Sequence, residues 1–285
     1  MRIPGRLVLL APEVFLAKPS LWLRAISKYK AVISPAPNFA YALCASGHTN
    51  QQGEWVDRIK AEELEGVDLS CWKMALNGAE AVAPANIRRF IERFAEVGFD
   101  SKALMPVYGL AEAALAVSFS SPLEELQTQF FDRTAMSDGD IVVSTARDAS
   151  AIELADVGRA LPGFDIEIRH DGVDIGADRI GDIWIQGPSI MSGYIGAESP
   201  IVDGWLSTGD LGFFHQERLY ITGRSKDVIV LRGQNHSPSD IEHSVDGVPG
   251  VRTGCSVAVG DITSAGEQLL LFVECRGLQE DIADA

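Results

Sequence analysis

Residues 102–112 read Lys-Ala-Leu-Met-Pro-Val-Tyr-Gly-Leu-Ala-Glu, and this stretch decides the fold class. Its first half, Lys102–Pro106, is mostly apolar and predicts a short strand, after which Tyr108-Gly109 follows. Upstream, Pro84–Val97 predicts a helix, because its apolar residues form one stripe, a proline starts it and a glycine follows it. Lys73–Leu76 predicts another short strand. Strands that alternate with helices indicate an α/β sheet.

The pattern changes beyond residue 140, where short strands and turns predominate. Residues 141–226 therefore predict a β-rich subdomain, and residues 227–285 predict a small α+β unit of strand, helix and two strands. The strands predicted in the subdomain are Ile141–Ser144, Asp165–Arg169, Asp182–Gln186 and Arg218–Thr222. Two short helices are also predicted elsewhere, at Trp55–Lys60 and Ala111–Val117.

Composition excludes several classes of protein. The formal net charge of -16 argues against a nucleic-acid partner and against an anionic membrane surface. No apolar run reaches the length of a membrane-spanning helix, so no stable membrane insertion is expected. The apolar stretch Leu7–Ala17 resembles the apolar part of a signal peptide, but Pro12 and Glu13 interrupt it. An internal segment of the protein is therefore favoured. The four cysteines form no CxxC pair, which favours buried thiols in a reducing, cytoplasmic setting.

Four motifs occur in the order found in adenylate-forming, or AMP-binding, enzymes, and the chain resembles that superfamily over nearly its whole length. Alone, each motif is an ordinary turn or strand end; together they favour the family strongly. The motifs are Asn77-Gly78-Ala79-Glu80, Tyr108-Gly109-Leu110-Ala111-Glu112, Ser207-Thr208-Gly209-Asp210-Leu211 and Gly223-Arg224-Ser225-Lys226-Asp227.

The resemblance is closest to the fatty acyl-AMP ligase branch. Tyr-Gly-Leu-Ala-Glu replaces the commoner Tyr-Gly-x-Thr-Glu, and the segments 37–41 and 233–238 also look like that branch. About 45 residues separate Glu112 from Gly158, which leaves room for the insertion characteristic of the branch. The implied fold is partial: the later part of a large α/β domain, residues 1–226, then the start of a small α+β domain, with Lys226 as the hinge.

The resemblance also implies roles for individual residues. Gly78 lets the backbone pass close to a flat purine, within a nucleotide-binding segment that includes Asn77, Ala79 and Glu80. Tyr108 offers an aromatic face to adenine, beside Gly109, Leu110 and Ala111. Glu112 is a hard oxygen ligand for Mg²⁺ and a catalytic residue. Asp210 suits the ribose hydroxyls, and Arg224, also catalytic, suits ribose or phosphate oxygens.

The implied reaction condenses a fatty acid with ATP to acyl-AMP and pyrophosphate, then transfers the acyl group to an acyl carrier protein for polyketide, lipopeptide or lipid synthesis. The chain has no Ser/Thr/Gly-rich phosphate loop, which lies upstream in the family, and no C-terminal catalytic lysine. We therefore expect an incomplete fragment with little activity. Three alternatives stay open: a non-catalytic nucleotide-binding or interaction module, a fragment complemented by a separate chain, and a fragment of an acyl-CoA synthetase.

Overall fold

The fold is described by a computed structural model. Arg232, the last residue of a strand predicted over Val228–Arg232, and Gly233, the first residue of the segment 233–238, lie outside the described residues. The structure describes residues 5–49, 54–146, 148, 150–196, 198–231, 234–245, 248, 250–263 and 266–275.

Helices make up the smaller part of the described chain. None of these helices combines the length and the apolar character that crossing a bilayer requires. The α-helices are α1 (Pro12–Ala17), α2 (Ser20–Tyr29), α3 (Asn38–Cys44), α4 (Pro84–Phe94), α5 (Arg133–Ser137) and α6 (Pro238–Val245). Single 3₁₀ turns occur at Ala61–Leu64, Ala95–Val97, Ser101–Ala103, Ala111–Ala113 and Ser225–Asp227.

Strands dominate. The first nine are β1 (Ile33–Ala36), β2 (Gly47–Thr49), β3 (Trp55–Asp57), β4 (Met74–Asn77), β5 (Leu104–Leu110), β6 (Leu115–Phe119), β7 (Thr128–Asp132), β8 (Ala151–Ala155) and β9 (Arg159–Ala160). The next six are β10 (Asp165–His170), β11 (Val173–Asp174), β12 (Gly181–Gln186), β13 (Ile201–Val202), β14 (Trp205–His215) and β15 (Arg218–Arg224). The last four are β16 (Ile229–Leu231), β17 (Gln234–His236), β18 (Val251–Thr263) and β19 (Gly266–Cys275).

The first sheet has the order β1-β4-β5-β6-β9, and β1, β4 and β5 run parallel. This agrees with the α/β expectation. An aromatic cluster packs the helices together, because edge-to-face rings fill volume and add favourable quadrupole contacts. Tyr41 and Phe90, for example, lie 5.0 Å apart between ring centroids. The fully buried aromatic residues of this core are Tyr41, Trp72, Phe90 and Phe94.

The second sheet is antiparallel, in the order β11-β10-β12-β14-β13 with β15 paired to β14. Ile183 and Ile185 on β12 are fully buried, while Asp182, Trp184 and Gln186 are half-buried, which is the alternation of a strand with one covered face. The same hydrophobic cluster takes in Tyr108 of β5 and Val117 of β6. The end of β5 therefore packs directly against the second sheet.

The interval between Glu112 and Gly158 contains β6 and a β7–α5–β8 unit. Phe131 of β7 is fully buried and contacts Phe213 and Tyr220 of the second sheet edge-on. Arg88 of α4 binds Glu153 of β8, so the unit is attached both to the second sheet and to helix α4.

The last described residues form two separate two-stranded sheets, β16–β17 and β18–β19, with α6 between them. The Glu242 carboxylate of α6 accepts a hydrogen bond from the Ala258 amide of β18 at 3.0 Å. The sequence predicted strand, helix and two strands here; the structure adds β17.

Three sequence predictions are wrong. Trp55–Asp57 is a strand paired with Gly47–Thr49, not a helix. Ala111–Val117 is a 3₁₀ turn that leads into β6. Ile141–Ser144 is not a strand: among the residues described there, Val143 makes an isolated bridge to Phe131.

Candidate functional site

Two parallel strands end side by side at the first motif. Asn77, the last residue of β4, lies opposite Pro106 of β5. The following residue, Gly78, passes close to the neighbouring strand: a Cβ there would lie 2.8 Å from the Val107 carbonyl oxygen and 2.7 Å from its Cγ2. A side chain does not fit in this space. Carboxyl ends of parallel strands are where ligands bind in open α/β sheets.

The first motif is braced by the start of α3. Asn38 Oδ1 accepts from the Asn77 side chain at 3.4 Å and from the Ala83 amide at 3.2 Å. The Glu80 carboxylate accepts from the Phe39 amide. Asn77 is fully buried, and its Oδ1 has no hydrogen-bond partner among the described residues. An acceptor in that position is energetically costly unless a donor reaches it.

The second motif continues from β5 into a tight reversal. A Cβ on Gly109 would lie 1.5 Å from the Leu115 carbonyl oxygen, so β5 and β6 approach each other too closely for any side chain there. Ala114 and Leu115 both take positive φ, at 54° and 83°. The reversal sets Glu112 on the 3₁₀ turn between the two strands.

The second and third motifs meet through one buried hydrogen bond. The Tyr108 hydroxyl donates to Asp210 Oδ2 at 2.7 Å. Arg224 Nε lies 3.3 Å from Asp210 Oδ1, because these two residues are paired directly across β14 and β15. Thr208 fixes the backbone: its hydroxyl accepts from the Asp210 amide at 3.1 Å and donates to the Ile183 carbonyl at 2.8 Å.

Burial governs the electrostatics of this group. It raises the pKa of the Asp210 carboxyl above its ordinary value, and the hydrogen bond from Tyr108 and the charge of Arg224 oppose that rise. Burial and the neighbouring Asp210 also raise the pKa of the Tyr108 phenol. The phenol therefore stays protonated and donates at neutral pH. A ribose hydroxyl at Asp210 would have to share the carboxylate with Tyr108 and Arg224.

Glu112 has a different environment. The Tyr194 hydroxyl donates to Glu112 Oε1 and is the main cause of a lowered pKa for that carboxyl. An ionised, half-buried carboxylate fits the preference of Mg²⁺ for hard oxygen ligands. The described residues contain no cluster of three or more His, Cys, Asp or Glu side chains suited to a metal.

The candidate residues thus fall into one connected region. Asp210 contacts both Tyr108 and Arg224. Glu112 lies on the turn that follows the strand of Tyr108, and Asn77 to Glu80 lie at the adjacent strand end. Lys226 lies in the exposed turn after β15. Arg224 also lines a cleft of about 530 Å³ beside α5 and β17, whereas Tyr108, Glu112 and Asp210 do not.

Sequence reasoning gave no role to Asn38, Tyr194 or Thr208. Asn38 and Thr208 stand inside segments that carry the family resemblance, residues 37–41 and the motif around Gly209, whereas Tyr194 lies outside the four motifs. Their side chains make hydrogen bonds to candidate residues, which spacing along the sequence does not reveal.

A family model described as "AMP-binding enzyme" matches residues 2–195. A medium-chain-fatty-acid–[acyl-carrier-protein] ligase, JamA of Moorena producens, is 33% identical over 93% of this chain and 46% of its own length. The 4-hydroxyphenylalkanoate adenylyltransferase of Mycobacterium marinum is 33% identical over 94% of this chain and 43% of its length.

Among solved structures, one from a study of fatty acyl-adenylate ligases of E. coli and L. pneumophila superposes with a TM-score of 0.85. It is 37% identical, and the match covers 95% of this chain and 48% of that one. The chain therefore spans somewhat less than half the length of these relatives.

Proposed function

The chain belongs to the AMP-binding enzyme family, and on that premise we propose that it carries the nucleotide-recognition part of a fatty acyl-AMP ligase. The proposed overall reaction joins a fatty acid to the α-phosphate of ATP, releases pyrophosphate and passes the acyl group to an acyl carrier protein. The chain would work in the cytoplasm. The relatives named for fatty acyl-adenylate and carrier-protein ligation support this branch.

One observation supports the proposal most strongly: the contact between Tyr108, Asp210 and Arg224, which come from three strands. In the proposed complex, adenine lies against the small part of the Tyr108 ring that remains exposed, and Asp210 accepts from the ribose hydroxyls. Arg224 donates to ribose or α-phosphate oxygens, since a guanidinium presents several N–H groups in a fixed plane.

Glu112 is the proposed magnesium ligand. Bound Mg²⁺ would neutralise charge on the ATP phosphates and so favour attack by a carboxylate. What the chain itself contributes is an ionised oxygen held on a turn at the end of β5. Gly78, Gly109 and the other residues of both motifs would shape the cavity for the base.

The domain division is also part of the proposal. Residues 1–226 would form the large-domain portion, with a β-rich subdomain over about 141–226, and residues 227–285 the start of the small domain. Lys226 would be the hinge. Limited proteolysis tests this: cleavage within 225–228 that yields two stable pieces supports the division, and cleavage that unfolds the whole chain contradicts it.

Nucleotide binding is the direct test of the site. Calorimetric titration with AMP should show binding by the parent and a loss of roughly tenfold or more for Asp210→Ala, the factor for one charge-assisted hydrogen bond. Tyr29→Phe, at an exposed tyrosine outside the site, is the control. The proposal is wrong if folded Asp210→Ala binds AMP as well as the parent.

Catalysis by the chain alone is a separate question. These 285 residues contain no Ser/Thr/Gly-rich phosphate loop, and losing one electrostatic donor typically costs about 10²–10³ in rate. We therefore expect little pyrophosphate release with ATP and a fatty acid series. Binding without turnover would also fit the second candidate, a non-catalytic nucleotide-binding module. Robust pyrophosphate release would exclude the non-catalytic module. Acyl transfer to CoA instead of a carrier protein would favour an acyl-CoA synthetase.

A further inference from the structure

Residues 188–194, here called the strap, lie across the turn that carries Glu112. Three hydrogen bonds join the two segments. Ser189 Oγ donates to the Ala113 carbonyl at 2.8 Å, the Met191 amide donates to the Glu112 carbonyl at 2.7 Å, and the Tyr194 hydroxyl donates to Glu112 Oε1. Backbone carbonyl oxygens accept the first two bonds, and only the third bond is accepted by the carboxylate.

The strap is fixed independently of Tyr194. A Cβ on Gly187, just before the strap, would lie 2.5 Å from the Phe164 ring, so the chain enters the strap in close contact with that ring. Ile190 and Met191 pack against the cluster between the sheets. Tyr194 follows Gly193, whose φ of 141° favours glycine, and Tyr194 as a whole residue is 51% exposed. The ring therefore contributes little to the core.

We propose that Tyr194 is a positioning residue that holds the Glu112 carboxylate in place for a divalent cation. This inference rests on the proposed function, because it assumes that Glu112 is the metal ligand. A half-buried glutamate on a turn still samples several rotamers, and ordering its side chain on metal binding costs conformational entropy. The hydroxyl orders the side chain beforehand, and it takes up one acceptor site of a carboxylate that has about four.

The test measures how much a metal improves nucleotide binding. ATP affinity is titrated with Mn²⁺ and again with EDTA, and AMP affinity is titrated without metal. In the parent, Mn²⁺ should strengthen ATP binding, and Glu112→Gln should abolish that gain. Tyr194→Phe should reduce the gain about threefold to tenfold, the factor for one hydrogen bond. AMP binding without metal should stay unchanged, which a general disturbance of the site would not allow.

The matched control is Ser189→Ala, which removes a strap hydrogen bond that does not reach the carboxylate. It should keep the full metal gain. Tyr194→His retains an N–H donor on its ring and should recover part of the metal gain. It serves as the second variant if Tyr194→Phe folds poorly.

The outcomes separate the two claims. If Glu112→Gln abolishes the metal gain and folded Tyr194→Phe keeps it in full, the positioning role is overturned and the metal ligand stands. If the parent shows no metal gain, or Glu112→Gln keeps it, the metal assignment itself is overturned and the inference with it.

Discussion

The Tyr108 hydroxyl donates to Asp210 Oδ2 across 2.7 Å, although 102 positions of sequence separate the two residues. Tyr108 belongs to the first, mixed sheet and Asp210 to the antiparallel one. Tyr108 is 8% exposed and Asp210 9%, so water competes little for this bond. The hydrogen bond thus connects the two sheets at the place where nucleotide binding is proposed.

Tyr108→Phe should lower the free energy of unfolding by about 1–3 kcal/mol, because the ring still fills its space while a buried carboxylate loses a partner. Urea denaturation measures the change. Tyr29→Phe, at a tyrosine that is 40% exposed, is the matched control and should change stability by less than about 0.5 kcal/mol. Equal effects of the two variants would show that the hydrogen bond is not stabilising.

Gly109→Ala should destabilise the chain by more than about 3 kcal/mol, beyond the usual range for overpacking. A Cβ would meet the Leu115 carbonyl oxygen at 1.5 Å, and backbone cannot move aside as a flexible side chain can. Gly172→Ala is the control: its φ of 79° disfavours alanine, but nothing lies within 4 Å. That change should cost about 1–2 kcal/mol. Thermal unfolding that ranks the two variants the other way contradicts the prediction.

Arg218→Ala should cost about 3–5 kcal/mol, because it leaves a buried charge without its partner. Arg218 Nη1 lies 2.6 Å from Oδ2 of Asp156, whose side chain is fully buried. The exposed pair of Arg159 and Glu217 gives the comparison, with side chains 63% and 83% exposed. Arg159→Ala should cost less than about 1 kcal/mol. A small loss for Arg218→Ala in the same denaturation experiment would mean that water reaches Asp156.

Tyr220→Phe should make the chain more resistant to alkaline unfolding. Burial, and then the charge of Asp156, raise the pKa of Tyr220 to about 12. The folded pKa is above the unfolded value near 10, so this group's contribution is complete below pH 10 and is lost as the pH rises toward 12. Between pH 9 and pH 11 the parent should lose about 1 kcal/mol more stability than the variant. Equal losses in urea titrations at the two pH values would rule out this linkage.

The sequence predicted those elements whose pattern is local. Helix α4 begins at Pro84 as expected, since a proline at the first position and an apolar stripe are read directly from the chain. Its predicted last turn is a separate 3₁₀ turn, Ala95–Val97. The four motifs indicated the family, and the match over residues 2–195 confirms it.

Elements decided by distant contacts were not predictable. Alanine and leucine in 111–117 favour a helix, but positive φ at Ala114 and pairing of β6 with β5 and β9 override that propensity. Strand β14 was missed because Gly209 and Gly212 interrupt its alternation. The hydrogen bond from Tyr194 to Glu112 depends on how the strap packs against the second sheet, and no spacing in the sequence indicates that bond.

The separation of Tyr108 and Asp210 along the chain bears on how the protein folds. A loop of about a hundred residues must close before the two meet, and the entropy of closure opposes long-range contacts until others compensate. The site is therefore complete only when both sheets have formed and docked. A nucleotide that recognises this arrangement binds the native state alone, so by mass action it raises the melting temperature with concentration. The ligand would in this way drive the final step of folding.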